Sequence, residues 1–447
     1  MKFLSQLHAK FGDFWWWSLC LFLALRAGDV INAVVGLWLV PKYVGQEQLG
    51  AVLPLTQVAS VFGLPISILV ITFTKFLNQY HTKGEVGKVK ALIRSFWGLS
   101  LVAIALGTLA AVFLLPHFFE RIRVVSGSLG VLIIASAILG TTAPVFTNGL
   151  QALKKFKAIT IMNLFGAPIR LVVMLVAMPF RALSGYMLGQ ASVPACQIIW
   201  SWFSLRKEID RSIKPVPFWK EDGRKMVRYT LGVALWMGTS TVVGALQMMI
   251  VRQRLPEVES AAYYMISRFA ELSTYAGLTI GVVMFPLAAE AHAQKMDSLR
   301  ILKRTMMITV GFGVLCAAGL AIVGRPMFGA VPLWEPYVPY VTDMVILSLS
   351  LTLCIAFTNF FTYEMAESRF GFLLYYVPVS VIEIGFVVCF TGYDYFRGIL
   401  SDSTVDWMRS LNVASLRNFL LVGIAGWLVN LVFVCCQMIR RMNKCKS

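Results

Sequence analysis

Charge is what this sequence has least of. Only 14% of its 447 residues are Asp, Glu, Lys or Arg, against 58% that are hydrophobic. A soluble chain of this length carries about a quarter of its residues charged, so a large soluble domain is excluded. Catalytic signatures are missing as well. The chain has no Gly-x-x-x-x-Gly-Lys-Ser/Thr, and therefore no nucleotide engine of its own. It also has no His-Glu-x-x-His, no Gly-x-Ser-x-Gly and no dinucleotide fingerprint. The eight cysteines are scattered, mostly inside apolar runs (Cys20, Cys196, Cys316, Cys354, Cys389), and no Cys-x-x-Cys occurs. They read as small apolar residues, not as a disulfide framework or a metal site.

What is there is apolar length. Runs bounded by charge, Pro and Gly predict twelve helices, near 14–40, 49–78, 93–115, 129–153, 158–180, 182–205, 227–251, 261–290, 305–324, 338–363, 371–391 and 417–439. Each is long enough to cross roughly 30 Å of hydrocarbon. The fold class expected is therefore an all-α polytopic membrane protein. Met1 to Asp13 is amphipathic, with Phe3, Leu4, Leu7 and Phe11 on one face and Lys2, Gln6 and Lys10 on the other. Trp15-Trp16-Trp17 then marks a headgroup boundary.

Basic residues orient the spans. With the N-terminus cytoplasmic, twenty-seven of the forty Lys and Arg residues fall inside, ten outside and three within spans. That bias places both termini in the cytoplasm. The net charge of +18 then faces an anionic leaflet and calls for no nucleic acid.

The chain also repeats itself. A shift of 211 residues lays Gln48-Leu49-Gly50 on Glu259-Ser260-Ala261, Gln57 on Arg268 and His81 on His292. Both copies enter the membrane from the same side, so the repeat is parallel. Six helices (1–205) precede a basic cytoplasmic linker (206–226), and six more with a basic tail follow (227–447). Paired halves of this kind are a transporter architecture.

Pro41-Lys42-Tyr43-Val44-Gly45-Gln46-Glu47-Gln48-Leu49-Gly50 resembles the loop between the first two helices of oligosaccharide flippases. These belong to the multidrug/oligosaccharidyl-lipid/polysaccharide exporter (MOP) superfamily. Asn78-Gln79-Tyr80-His81-Thr82-Lys83-Gly84-Glu85 is similar to the same family. The resemblance, with the hydropathy profile and the repeat, covers nearly the whole chain. It implies a two-lobed, V-shaped bundle that carries undecaprenyl-diphosphate-linked sugars by alternating access. Twelve spans fit its O-antigen and capsule branch better than the fourteen usual in lipid II flippases.

Charge inside a span is the most informative local feature. An Arg at the bilayer centre costs about 2.5–3.5 kcal/mol on the mildest scale, so Arg26, Arg170 and Arg268 need compensation. One reading is a cationic site for a diphosphate, whose oxygens match the guanidinium fork. The other is structural: Asp29 and Glu271 each lie three residues after Arg26 and Arg268 and can neutralise them on the same helix face. Arg170 has no acid on its own helix. Glu383, near the middle of the eleventh span, is expected to pair with it or to carry a coupling proton or Na⁺. Asp343 is expected near an interface in a solvated role. Gly28, Asn32 and Gly36 form a small-residue stripe for close helix packing. Pro54, Pro65, Pro144, Pro168, Pro194, Pro286 and Pro378 are expected as kinks or hinges, and His81 and His292 as solvated loop residues.

The expectation is an inner-membrane flippase that is not an enzyme and holds no cofactor beyond a coupling Na⁺ or H⁺. Its partners are a lipid-linked oligosaccharide, the bilayer and other envelope polysaccharide-assembly proteins. The rivals are an ion-coupled multidrug antiporter of the same superfamily, a lipid II flippase, a membrane glycosyltransferase or polymerase, and a non-transporting scaffold. An antiporter favours a cavity dominated by acids and aromatics. A glycosyltransferase needs a large extramembrane catalytic loop, for which only 392–416 offers itself.

Overall fold

The computed structural model describes residues 20–122, 129–152, 155–205, 214–281, 298–366, 369–391, 401–410 and 415–444, with 124, 284 and 288, and without 21, 22, 25 and 279. The amphipathic start, the Trp15–Trp17 triad, residues 206–213, Pro286, His292 and the first part of the 392–416 loop lie outside the described residues, as does the side chain of His81.

Every long described element is helical, because an apolar chain in hydrocarbon must satisfy its backbone within each segment. Helix α1 comprises residues 26–34, a π-helical turn Val35–Leu39 and Val40–Val44. It is followed by α2 (Val52–Thr82), α3 (Val86–Ile122), α4 (Leu129–Ala152), α5 (Phe156–Ala177), α6 (Ala182–Leu205) and α7 (Trp219–Arg254). Then come α8 (Glu257–Ala270), α9 (Ser298–Ala330), α10 (Val341–Ala366), α11 (Leu373–Thr391) and α12 (Leu416–Lys444). Each of the twelve expected spans overlaps one of these in its described residues, the eighth only over 261–270. Among the described residues, seven helices are long and apolar enough to cross a membrane, and Ile104–Glu120 and Leu373–Phe386 are shorter apolar segments. Large apolar side chains cover their outer faces. Val112, Phe113 and Leu114 of α3, for example, are 58%, 71% and 58% exposed, which in a bilayer costs nothing.

Three local features differ from the sequence reading. The helices overrun the apolar runs: α7 begins at Trp219, inside the expected 206–226 linker. At about 1.5 Å per residue its 36 residues span roughly 54 Å, so its first turns continue beyond the hydrocarbon. Glu221 and Asp222 lie in its first turn, where the helix dipole favours acids. The span expected over 261–290 narrows to a 3₁₀ turn at Glu271–Thr274. The 392–416 loop contains a short helix, Asp402–Ser410.

The chain divides into two compact units, Met1–Gly45 with Leu55–Thr241, and Gln46–Pro54 with Val242–Ser447. The division falls within α7 and not in the linker. The reason is local: the first half of α7 is bound to α2 through Thr230 and Thr72 (3.1 Å), while its second half reaches α11 through Gln247 and Glu383 (2.9 Å).

In the first unit α4, α5 and α6 pack together, and α3 joins α4. Phe73 and Phe96 meet at 4.5 Å between α2 and α3. Serine and threonine hydroxyls donate to carbonyls a turn earlier (Ser67 to Gly63, Thr72 to Ile68, Thr141 to Ala137), which satisfies them inside apolar helices. At the basic end, Lys88 pairs with Glu221 (2.6 Å) and Glu85 (3.3 Å), and Tyr80 donates to Asp222 (2.9 Å). The bond to Glu221 raises the Lys88 ammonium above its ordinary value. Desolvation and the bond to Asp222 raise the Tyr80 phenol in the same way.

In the second unit α10 packs on α8, α9 and α12, and α11 on α12. Its core is aromatic: Phe361 stacks on Phe372 at 4.4 Å and meets Tyr376 at 4.9 Å. The short helix Gln46–Leu49 packs on α8, and Gly50 lies so close to Ser260 that a Cβ there meets its Oγ. The two segments matched by the 211-residue shift are therefore neighbours within one unit. Gly45, just before them, has φ +73°, a left-handed turn that glycine enters without strain. Asp343 is not solvated as expected. Its side chain is 5% exposed and accepts from Arg417 Nε at 2.9 Å, because α12 begins beside α10, with Glu259 capping the Leu416 N–H at 2.7 Å.

Candidate functional site: a polar cavity around Arg170

Arg170 lies 14 residues into α5, about 21 Å along it, which is deep within a 30 Å hydrocarbon layer. Helix α1 reaches it from one side. Gly28 of α1 faces Ala167, within van der Waals contact of any added Cβ, and one turn on Asn32 Oδ1 accepts from Arg170 Nη2. The small-residue stripe thus does pack, and its middle member also serves as a polar ligand. From α6, Gln190 Oε1 accepts from Arg170 Nη1 at 3.3 Å, while its Nε2 donates to Tyr186 Oη at 2.9 Å. Both ends of the guanidinium fork are held by neutral amides.

This group lines a cavity of about 460 Å³ within the first unit. Its walls carry the hydroxyls of Ser60, Ser67, Ser136 and Thr141 and the amide of Gln197. Arg170 is the one charged residue among the described residues of the lining, and none of them is a carboxylate. A cavity with a fixed positive charge and neutral hydroxyl and amide walls suits an oxyanion surrounded by hydroxyls, toward which Ser60, Ser67 and Thr141 are left as acceptors because their own protons go to backbone carbonyls.

The other predicted residues lie elsewhere. Arg26 Nη1 pairs with Asp29 at 3.0 Å, both about one-third exposed. Arg268, in the second unit, pairs with Glu271 at 3.2 Å and stacks over Tyr264 at 5.2 Å. Each of these arginines thus meets a carboxylate on its own chain segment. Glu383 accepts from Gln247 Nε2 at 2.9 Å within the second unit. Helix α12 yields space for it: a Cβ on Gly426 would sit 2.6 Å from Glu383 Oε2, so a larger residue there makes the carboxylate shift. One turn further, Asn430 is 2% exposed. Sequence reasoning missed Gln190, Gln247 and Asn430. The available signal was an uncharged amide inside an apolar span, which charge counting does not register.

The helix arrangement has counterparts among solved structures. An outward-facing multidrug resistance MATE family transporter of the MOP superfamily aligns with TM-score 0.63 at 12% identity, over 98% of this chain and 98% of that one. The chain shares its fold. A MOP-superfamily transporter from Pyrococcus furiosus, described as having a binding pocket of reverse polarity that suggests a different function, aligns with TM-score 0.60 at 12% identity over 98% and 97% of the two chains. The lipid II flippase MurJ in an inward closed conformation aligns with TM-score 0.56 at 13% identity over 94% and 87%. No protein-family model and no curated protein matches the chain. The fold is that of a multi-pass membrane transporter.

Proposed function

We propose that the chain is an inner-membrane flippase for a lipid-linked oligosaccharide of the undecaprenyl-diphosphate class, working by alternating access between lobes 1–205 and 227–447. The observation that carries this reading is the cavity around Arg170, whose fixed charge is positive and whose remaining polar groups are hydroxyls and amides. A diphosphate gains from a guanidinium fork, and sugars gain from the hydroxyl and amide walls. A cation-exporting antiporter needs the opposite sign. Reverse polarity within this fold has the Pyrococcus furiosus transporter as a precedent. Lipid II offers the same diphosphate and remains the nearest alternative cargo. Arg26 and Arg268, already paired, are proposed as secondary contacts of the diphosphate, with Asp29 and Glu271 as their charge partners. Glu383, with Gln247, is proposed to carry the coupling Na⁺ or H⁺. The bilayer and other envelope polysaccharide-assembly proteins complete the partners, with no nucleic acid among them.

Transport of a fluorescent lipid-diphosphate sugar into proteoliposomes tests the reading. Flipping should require the protein and respond to an imposed Na⁺ or H⁺ gradient, and Glu383→Gln should remove that response while leaving residual flipping. Efflux of cationic dyes without movement of the diphosphate lipid would overturn the proposal in favour of the antiporter. Topology is tested separately. Reporter fusions after Lys155 and Arg224 should read cytoplasmic, and one after Arg252 external. The reverse pattern, or agreement at only one site, removes the parallel two-lobe arrangement with cytoplasmic termini.

A further inference from the structure

A second cavity lies in the first unit, walled by α2, α3 and the start of α7, with a volume of about 600 Å³. Its surface is almost wholly apolar. Thr72 and Thr230 in its lining bond each other at 3.1 Å and also bond back to Ile68 and Met226, and Ser95 is the third hydroxyl of the lining. Its outer wall is open: Leu99, Val227 and Leu231 line it and are 51%, 47% and 60% exposed. Trp219, 59% exposed at its mouth, has the amphipathic ring that settles at the headgroup level of a bilayer.

The occupant is indicated by charge at that mouth. Along α7, Lys220, Arg224, Val227 and Leu231 follow the spacing i, i+4, i+7, i+11 and share one face. Two cations therefore precede two groove-lining apolar residues in a single stripe. Both cations are exposed, and neither enters an ion pair among the described residues. The neighbouring acids are already committed: Glu221 to Lys88 at 2.6 Å, and Asp222 to Tyr80 at 2.9 Å and Lys225 at 3.4 Å. The stripe is thus net positive where it meets the groove.

We propose that this groove binds one acyl chain of an anionic phospholipid, with its phosphate held by Lys220 and Arg224. Basic pockets between transmembrane helices at the cytoplasmic face hold anionic lipid headgroups in this way, and the volume falls within the roughly 300–1,000 Å³ of built ligand sites. The inference is separate from the cavity around Arg170 and stands whatever is transported.

Native mass spectrometry and thermal melting of the full chain in detergent test it, with phosphatidylglycerol and phosphatidylcholine of identical chains as probes. Phosphatidylglycerol should be retained one-to-one and raise the melting temperature, and phosphatidylcholine should do neither. Lys220→Gln with Arg224→Gln, at exposed positions that leave the fold intact, should weaken phosphatidylglycerol binding about tenfold or more, as expected for lost charge-assisted bonds. Val227→Trp, which fills the groove from an exposed wall position, should abolish retention. Equal retention of the two phospholipids, or unchanged binding in the double variant, overturns the headgroup assignment. Displacement of phosphatidylglycerol by a polyprenyl phosphate at lower concentration overturns the phospholipid as the natural occupant and assigns the groove to the tail of a lipid-linked substrate.

Discussion

Arg170→Ala is expected to abolish flipping of a lipid-diphosphate sugar, and Arg170→Lys to lower it markedly, with protein abundance near normal in both. The argument rests on what holds the guanidinium. Asn32 and Gln190 accept from its two terminal nitrogens, and these two neutral amides fix the plane of the fork. A diphosphate can then approach a preoriented cation. Lysine keeps the charge but replaces the planar fork with a point donor. Each lost charge-assisted bond is worth about 1.5–3 kcal/mol, which is at least roughly tenfold in apparent substrate affinity. The measurement is initial flipping rate against substrate concentration in proteoliposomes, normalised to protein incorporated. Full transport by the lysine variant makes the residue a simple counter-charge. Normal transport by the alanine variant removes Arg170 from the substrate path altogether.

Much of this architecture is legible in the sequence because a bilayer imposes a simple rule. Apolar length sets the span, and every one of the expected spans meets a helix. The ends are less legible, since a helix continues for as long as its backbone is bonded: α7 starts at Trp219, eight residues before its apolar run. The interruptions are harder still. The π turn at Val35–Leu39 and the 3₁₀ turn at Glu271–Thr274 contain no proline, so the usual mark of a helix interruption is missing from both. The site was half visible. Arg170 stood out because a charge in hydrocarbon is costly. Asn32 reads as packing only, and Gln190 escapes notice, because a count of charges does not register a neutral amide. Asp343 is illegible for a related reason: its place near the end of its span suggests an interface and water, but α12 brings Arg417 over it. Which amide meets which guanidinium is a matter of helix contact, and no periodicity within one segment encodes it.

Phe361→Ala is expected to destabilise the second unit by about 3 kcal/mol, the low end of the range of roughly 3–5 for burying-to-void changes of Phe in a core. Phe361 is 2% exposed. It stacks on Phe372 at 4.4 Å, meets Tyr376 of α11 at 4.9 Å and touches Phe357 of α10 at 5.8 Å, while Phe357 continues to Trp427 of α12 at 5.5 Å. The ring therefore sits where three helices join. In water, part of the cost of such a truncation comes from lost transfer out of solvent. In a bilayer that part is absent, because lipid is as apolar as the core. What remains is the cavity and the lost dispersion and ring–ring contacts, the latter about 0.5–1.5 kcal/mol per aromatic pair. Phe113 of α3 supplies the contrast: it is 71% exposed, and Phe113→Ala should change stability by no more than about 0.5 kcal/mol. Phe361→Leu, which keeps most of the volume, should cost under about 1.5 kcal/mol. Unfolding of the three variants in mixed micelles gives the comparison directly. If Phe361→Ala costs no more than Phe113→Ala, the aromatic cluster does not hold α10, α11 and α12 together.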